Sequence, residues 1–428
     1  MIYGPGLIRH WAQHRPSAHS KTCLIITDSH LVEAGLVDRV LDGMDQEARK
    51  QVHVFDEGEA EPSIQTAFRA AACAQAIEPG TIIGLGGGSN MDLAKITGLV
   101  YSHGGHPSDY FGFDRVPGPI CPIVAIPTTA GTGSEVSHAA VLSDQDSGVK
   151  VSTLSPHLRP TLALVDPELT HSCPPQVTAE SGMDALTHAI EAYTARIPEA
   201  SPENGFQDAP YPGKNPLSDA LAQKAISLVS RHLLTAFHQP ANAEARNGMA
   251  LAGTLAGLAF SNGAVALVHA LEYPMGMDVH CSHGRGNALL LPHVMRFNMP
   301  YRMTEMADIA QFMGLKGPST TPVKAAETAI EHIESPITIP SQTHQRSWWI
   351  FTGFASMGRK SLSNQTTDGH QSQNSNPGRS AGHFEGSSVT GWFITGLMVQ
   401  KVLQRAKVAM DNARATALKV IVLDILFV

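Results

Sequence analysis

Long uncharged apolar runs are missing from this chain of 428 residues. None reaches the ~18 residues that suggest a membrane span, and the N-terminus lacks the basic stretch and apolar core of a secretory signal. Charge is sparse too. Charged residues make up 16%, the net charge is −8, and no long Lys/Arg cluster occurs, which argues against nucleic acid or an anionic membrane as a partner. The five cysteines, Cys23, Cys73, Cys121, Cys173 and Cys281, are scattered, odd in number and free of CxxC spacing. A reducing, cytoplasmic location is the simpler expectation.

What the chain does have is apolar material, 43% of its residues. That is enough for two or three domains with a buried core. IYGPG reads as a strand end and turn, KTCLIITD as a short buried strand ending at Asp28, and QVHVFDE as a second strand. SHLVEAGLVDRVLDGM has helical spacing, and PSIQTAFRAAACAQAIEPG reads as a helix stopped by Pro79 and Gly80. TLALVDPELT gives a further strand and a turn at Asp166-Pro167. From Pro174 the pattern changes to long helical segments.

TIIGLGGGSNMDLAKITGLVYS reads as a strand, a turn at Gly86, Gly87, Gly88 and Ser89, and a helix opening near Asn90. Glycines admit a ligand close to the backbone, and free N–H groups at a helix start favour phosphate oxygens, as in a dinucleotide pyrophosphate. The turn lacks the GxGxxG order, so a tight turn that binds nothing stays open. Asp28, at a strand's C-terminal end, suits either an adenosine ribose, favouring NAD over NADP, or a helix N-cap. The loop after Pro127, with Thr128, Thr129, Gly131, Thr132, Gly133 and Ser134, can offer donors to a ribose, phosphate or carboxamide.

In GMDALTHAIEAY, Asp184 and His188 are four residues apart and share a helix face. With His269 in LVHALEYP and His283 in HCSHGRGNALLLPH they offer one carboxylate and three imidazoles, chemistry that suits iron(II) or zinc. A lone histidine in an apolar helix such as GMALAGTLAGLAFSNGAVALVHAL is equally at home as a core residue. Cys281 is either a thiolate ligand or a bystander. His280 stands three residues before His283, as an acid/base candidate or as a supporting or exposed histidine.

DALTHAIEAY, GLAFSNGAVALVHALEYP and SHGRGNALLLPHVMRFN resemble the metal-binding half of the iron-containing (group III) alcohol dehydrogenases, relatives of glycerol dehydrogenase and dehydroquinate synthase. The resemblance implies an α/β N-terminal dinucleotide-binding domain followed by an all-α metal-binding domain, the dehydroquinate synthase-like fold, here at residues 1–168 and 169–340. It implies Asp184, His188, His269 and His283 as ligands of Fe(II) or Zn. It implies NAD contacts at Gly87, Gly88, Ser89, Asp92, Thr128, Thr129, Thr132, Ser137 and Lys150, beside Asp28. Some members carry a proposed proton-relay histidine where this chain has Tyr273, a poorer base at its ordinary pKa near ~10. Ser282 replaces a proline common in the family.

The expected activity is metal-dependent hydride transfer between NAD and a small primary alcohol, diol or hydroxy acid, in a homodimer. The Tyr-x-Gly-x-Asn-Pro core of ARIPEASPENGFQDAPYPGKNPLSD, read as a surface loop, resembles an insertion in the hydroxyacid-oxoacid transhydrogenase branch, one alternative. An inactive relative is the other. The family's pattern breaks off near residue 340. From Pro336 to Gln400 the only acids are Asp368 and Glu385, and three of the four tryptophans fall there. Residues 341–428 therefore read as an atypical tail: a reading-frame change, a divergent or disordered segment, or a new binding segment. Members usually have one more strand before IYGPG, so Met1 reads as a late or misplaced start, with a sheet edge exposed.

Overall fold

The computed structural model describes residues 1–14, 16, 20–145, 149–196, 211–279, 281–315, 317 and 320–338. The atypical tail, most of the insertion after Arg196, and His280 lie outside them. Residues Met1–Glu331 belong to one compact unit; of a second, His332–Arg414, only residues 332–338 are described.

Nine strands are described: β1 (Ile2–Tyr3), β2 (Cys23–Ile26), β3 (Val52–Phe55), β4 (Thr81–Gly86), β5 (Gly112–Phe113), β6 (Ile123–Pro127), β7 (Ala139–Asp144), β8 (Val149–Leu154) and β9 (Leu162–Val165). Six form a parallel sheet in the order β1-β9-β6-β4-β2-β3. Strands β2, β4, β6 and β9 are buried at every position, as expected of a parallel sheet covered on both faces. Alternation divides their side chains. Leu24, Ile26 and Ile82 pack on α4 (Ile64–Ile77) and α5 (Gly88–His103), through Ala67, Ala70, Ala74, Leu93 and Ile96. Cys23, Ile25, Ile83 and Leu85 face the opposite way, onto Ile8, Trp11, Val37 and Val40. Each such aliphatic side chain contributes roughly 1.5–3 kcal/mol.

Three shorter helices lie in this half: α1 (Ser29–Glu33), α2 (Leu36–Asp42) and α3 (Gln46–Arg49). The spacing of SHLVEAGLVDRVLDGM predicts one helix, but Gly35 takes a left-handed φ of 72° and breaks it into α1 and α2. A second sheet, β5-β8-β7, was not foreseen. Its β7–β8 pair is antiparallel and brings Lys150 opposite Ser143.

The helical half holds α6 (Pro175–Thr194), α7 (Pro216–His238), α8 (Ala243–Asn262), α9 (Leu267–Val279), α10 (His283–Asn298), α11 (Met303–Phe312) and α12 (Pro322–Thr338). The apolar run that reads as one helix turns after Asn262, so His269 falls in the first turn of α9 and not deep in a core helix. The two halves meet closely. A Cβ at Gly131, in the loop after β6, would lie 2.3 Å from the Ser181 carbonyl oxygen of α6, and one at Gly257 of α8 would lie 2.6 Å from Gly133 Cα. Only glycine permits that approach.

Candidate metal centre and dinucleotide loops

Asp184 and His188 lie one turn apart on α6, His269 on the first turn of α9, and His283 at the first residue of α10. One ligand atom from each falls within 4.8 Å of all the others. Asp184 Oδ2 is 3.8 Å from His188 Nδ1, and its Oδ1 is 3.9 Å from His269 Nε2 and 3.7 Å from His283 Nε2. The first three residues are at most 5% exposed, whereas the His283 side chain is 32% exposed and opens the cluster on one side.

Each imidazole is held from behind. His188 stacks between Phe260 and His269, at centroid distances of 4.5 and 4.6 Å, and hydrogen-bonds the Gly131 backbone. Glu191, one turn after His188, takes His269 Nδ1 at 2.6 Å and the N–H groups of Ala266 and Val268 at 2.8 and 2.6 Å. It therefore caps α9 and fixes the His269 tautomer that leaves Nε2 free. Glu272 does the same for His283 Nδ1.

Asn287 reaches into the cluster. Its Nδ2 is 2.8 Å from Asp184 Oδ1, 3.2 Å from His269 Nε2 and 3.1 Å from His283 Nε2. A carboxamide has two hydrogens for these three acceptors. Among the described residues, Asn287 Oδ1 and His188 Nδ1 are buried with no hydrogen-bond partner. An orphaned imidazole lone pair beside a buried carboxylate and two further imidazoles is a donor set that fits a borderline divalent ion.

Burial and the neighbouring charges set the electrostatics of the cluster. Burial pushes Asp184 up, but the three imidazoles and the Asn287 amide outweigh it and hold the carboxyl below its usual range. Burial, with the neighbouring imidazoles, brings His188 down to about 3, so it stays neutral and able to ligate. Burial opposes protonation of His283 as well, but Glu272 and Asp184 prevail and push it up to about 9.

The other candidates are placed as follows. Tyr273 lies 6.0 Å from His283, ring to ring, and burial raises its hydroxyl well above the ordinary phenol value, so it keeps its proton and does not act as a base. Cys281 is pushed up to about 11 by burial and by Glu272, so it remains a thiol beside the cluster. Sequence reasoning missed Glu191, Glu272 and Asn287. Helical spacing could have found Asn287, four residues after His283, and Glu191, three after His188.

On the α/β side, Asp28, Gly86–Ser89 and Thr128–Thr129 sit at the C-terminal ends of β2, β4 and β6, beside the point where the strand order reverses. Open parallel sheets bind ligands there. Asp28 caps α1 through the Leu31 N–H and accepts Asn90 Nδ2 at 2.7 Å. Gly87 caps α5 with no side-chain bond. Gly88 approaches Thr132 so closely that a Cβ would lie 2.8 Å from its methyl group. Ser89 Oγ donates to the Ala60 carbonyl at 2.5 Å. Asp92 accepts Lys95 Nζ at 3.2 Å, Ser134 Oγ at 2.5 Å and the Val141 N–H at 3.0 Å. Lys95 also reaches Ser137 Oγ at 3.3 Å. Lys150 is bound between Glu61 and Glu272, at 2.9 and 3.3 Å.

Residues 1–167 match the model of the iron-containing alcohol dehydrogenases, and residues 210–345 match the C-terminal model of the same family. The chain belongs to the iron-containing alcohol dehydrogenase family. It is 34% identical over 359 residues to the NAD-dependent methanol dehydrogenase of Bacillus methanolicus, covering 84% of this chain and 88% of that one. It is 40% identical over 318 residues to long-chain-alcohol dehydrogenase 1 of Geobacillus thermodenitrificans, covering 74% and 76%. A solved 1,3-propanediol oxidoreductase superposes with a TM-score of 0.72 at 34% identity, covering 85% of this chain and 91% of that one. The chain is thus an NAD-linked alcohol dehydrogenase of the metal-dependent, iron-type class, and the fold is the one the resemblance implies.

Proposed function

We propose that this chain oxidises a small, uncharged primary alcohol or diol, and reduces the matching carbonyl, with NAD as hydride carrier and iron(II) held by Asp184, His188, His269 and His283. The convergence of these four side chains, with the His188 lone pair unpartnered, supports the metal assignment most. Bound there, a divalent ion supplies Lewis acidity toward the substrate oxygen, and the nicotinamide supplies the hydride chemistry.

The chain's own residues do the rest. Glu191 and Glu272 each hold the Nδ1 of one imidazole and so orient its Nε2 toward the cluster. The exposed flank of His283 leaves one side of the cluster open to a substrate. Gly87 and the first turn of α5 offer backbone N–H groups to a pyrophosphate. The Asp28 carboxylate repels the additional phosphate of NADP, which supports NAD. A cytoplasmic homodimer completes the proposal.

The choice of an uncharged substrate rests on two cations among the described residues. Lys150 is neutralised by two carboxylates, and Arg285, two residues after His283, pairs with Glu180 through two bonds at 3.0 and 2.7 Å. Neither is available to a substrate carboxylate. This argues against a hydroxy acid and against the transhydrogenase.

The test is metal content and NADH formation on one preparation made without oxygen, with a panel of alcohols, diols and hydroxy acids. Stoichiometric iron and turnover on uncharged substrates are expected. Asp184→Ala or His269→Ala should lose both, with a rate loss of about 10³-fold or more, since metal polarisation is worth several kcal/mol. A folded protein with neither divalent ion nor turnover would sink the reading, and turnover that requires an oxo acid without free NADH would transfer it to the transhydrogenase.

A further inference from the structure

Glu272, one turn beyond His269 on α9, is wholly buried, and its carboxylate is shared between two partners. One oxygen takes His283 Nδ1; the other takes Lys150 Nζ at 3.3 Å, and Lys150 in turn reaches Glu61 at 2.9 Å. Charges therefore alternate from Glu61 and Lys150 of the α/β half, through Glu272, to a ligand of the metal cluster. Two glycines make the space. A Cβ at Gly276 would lie 2.3 Å from Glu272 Oε1, and one at Gly286 would lie 2.6 Å from Glu272 Cγ. Any other residue type at either position would push the carboxylate out of line.

We propose that Glu272 is a positioning residue for the metal centre, one that sets the ring orientation and tautomer of His283 while Lys150 fixes the carboxylate that does so. This rests on the metal-site reading above. His283 needs such a support more than its partners do. His188 is clamped between two rings, and His269 stands on a helix turn capped by Glu191, whereas His283 begins α10 with a third of its side chain exposed. A carboxylate behind a ligating imidazole fixes the ring and raises its basicity. Without Glu272 the ring is free to turn toward solvent.

The experiment uses the full chain with cobalt(II) as probe, reading its dissociation constant against a competing chelator and its visible absorption spectrum, neither of which needs turnover. Glu272→Ala should weaken cobalt binding about 10–100-fold and alter the spectrum. Glu272→Gln, which still offers an oxygen to His283 Nδ1, should lose less. Gly286→Ala touches no ligand and on helix propensity alone favours α10, yet it should weaken binding because its Cβ displaces Glu272. Cobalt affinity and spectrum like the parent's in Glu272→Ala would overturn the proposal. If that variant does not fold, the same result in Gly286→Ala overturns it. A parent chain that binds no cobalt at all would count instead against the metal-site reading.

Discussion

Around the dinucleotide loops of the α/β half, several polar side chains already have partners within the protein. Asp92 accepts from Lys95, Ser134 and the Val141 N–H, Asp28 from the Leu31 N–H and Asn90, and Ser89 donates to a carbonyl. Gly87, at the start of α5, adds backbone with no side-chain cap. In the helical half the reverse holds. Four side chains turn lone pairs toward one point, and one amide group is shared among three acceptors. The first region uses its carboxylates to hold its own loops, while the second needs positive charge, from a metal or from a proton.

That contrast predicts a pH dependence at the metal cluster. In the metal-free protein His283 is raised from its ordinary 6.5 to about 9 by Glu272 and Asp184, against the opposing effect of burial. A raised folded-state value means that its stabilisation is fully present below pH 6.5 and is lost as pH rises through about 9. His188 is lowered to about 3, mainly by burial, so its effect has the opposite sign and stability grows with pH between about 3 and 6.5. From these two groups alone, the metal-free chain should melt highest near pH 6.5. Divalent affinity should climb by up to about tenfold per pH unit from 6.5 to 9, because binding must expel the His283 proton. Titration calorimetry in buffers of different ionisation enthalpy would detect that proton. An affinity flat across this window would mean that His283 is not a ligand, or is not protonated beforehand.

How much of this was legible in the sequence follows the same divide. The strands of the parallel sheet and the glycine turn are local patterns. Four apolar residues in CLII, or a GGGS turn between a strand and a helix, declare themselves within a dozen positions. Asp184 and His188 are local as well, one helix turn apart. What could not be read is what long-range packing supplies. Glu272 becomes meaningful only when β8 delivers Lys150 and α10 delivers His283 and Gly286. The break after Asn262, which sets His269 on a capped first turn, looked like continuous helix because apolar spacing runs through it. The split at Gly35 was missed for a similar reason: periodicity alone does not register a single left-handed residue.

A smaller effect separates backbone from side chain in the cofactor region. A Cβ at Gly87 would meet only Thr129, at 3.5 and 3.6 Å, which is ordinary contact. Gly87→Ala should therefore fold, losing no more than ~1 kcal/mol for the poorer cap. It should nevertheless raise the KM for NAD about tenfold, by occupying the space a phosphate would use to reach the backbone, ~1.4 kcal/mol of lost binding. Metal content should not change. An unaltered KM would show that the glycines serve the turn and not a ligand.

The mildest substitution tests whether Asp28 does more than cap α1. Asparagine caps a helix as well as aspartate does, and Asp28→Asn keeps an oxygen for the Leu31 N–H, so the change isolates the charge. Asn90 Nδ2, which also donates to the Leu85 carbonyl at 3.2 Å, would then face an amide in place of a carboxylate and lose one acceptor. The lost hydrogen bond should cost about 1 kcal/mol of stability. If the carboxylate excludes the NADP phosphate, the preference for NAD measured as a ratio of kcat/KM should fall several-fold, at most about tenfold or ~1.4 kcal/mol. Metal content and the rate at saturating NAD should remain those of the parent. A preference for NAD undiminished in Asp28→Asn would leave this residue with the helix cap alone and would move cofactor discrimination to another part of the loop cluster.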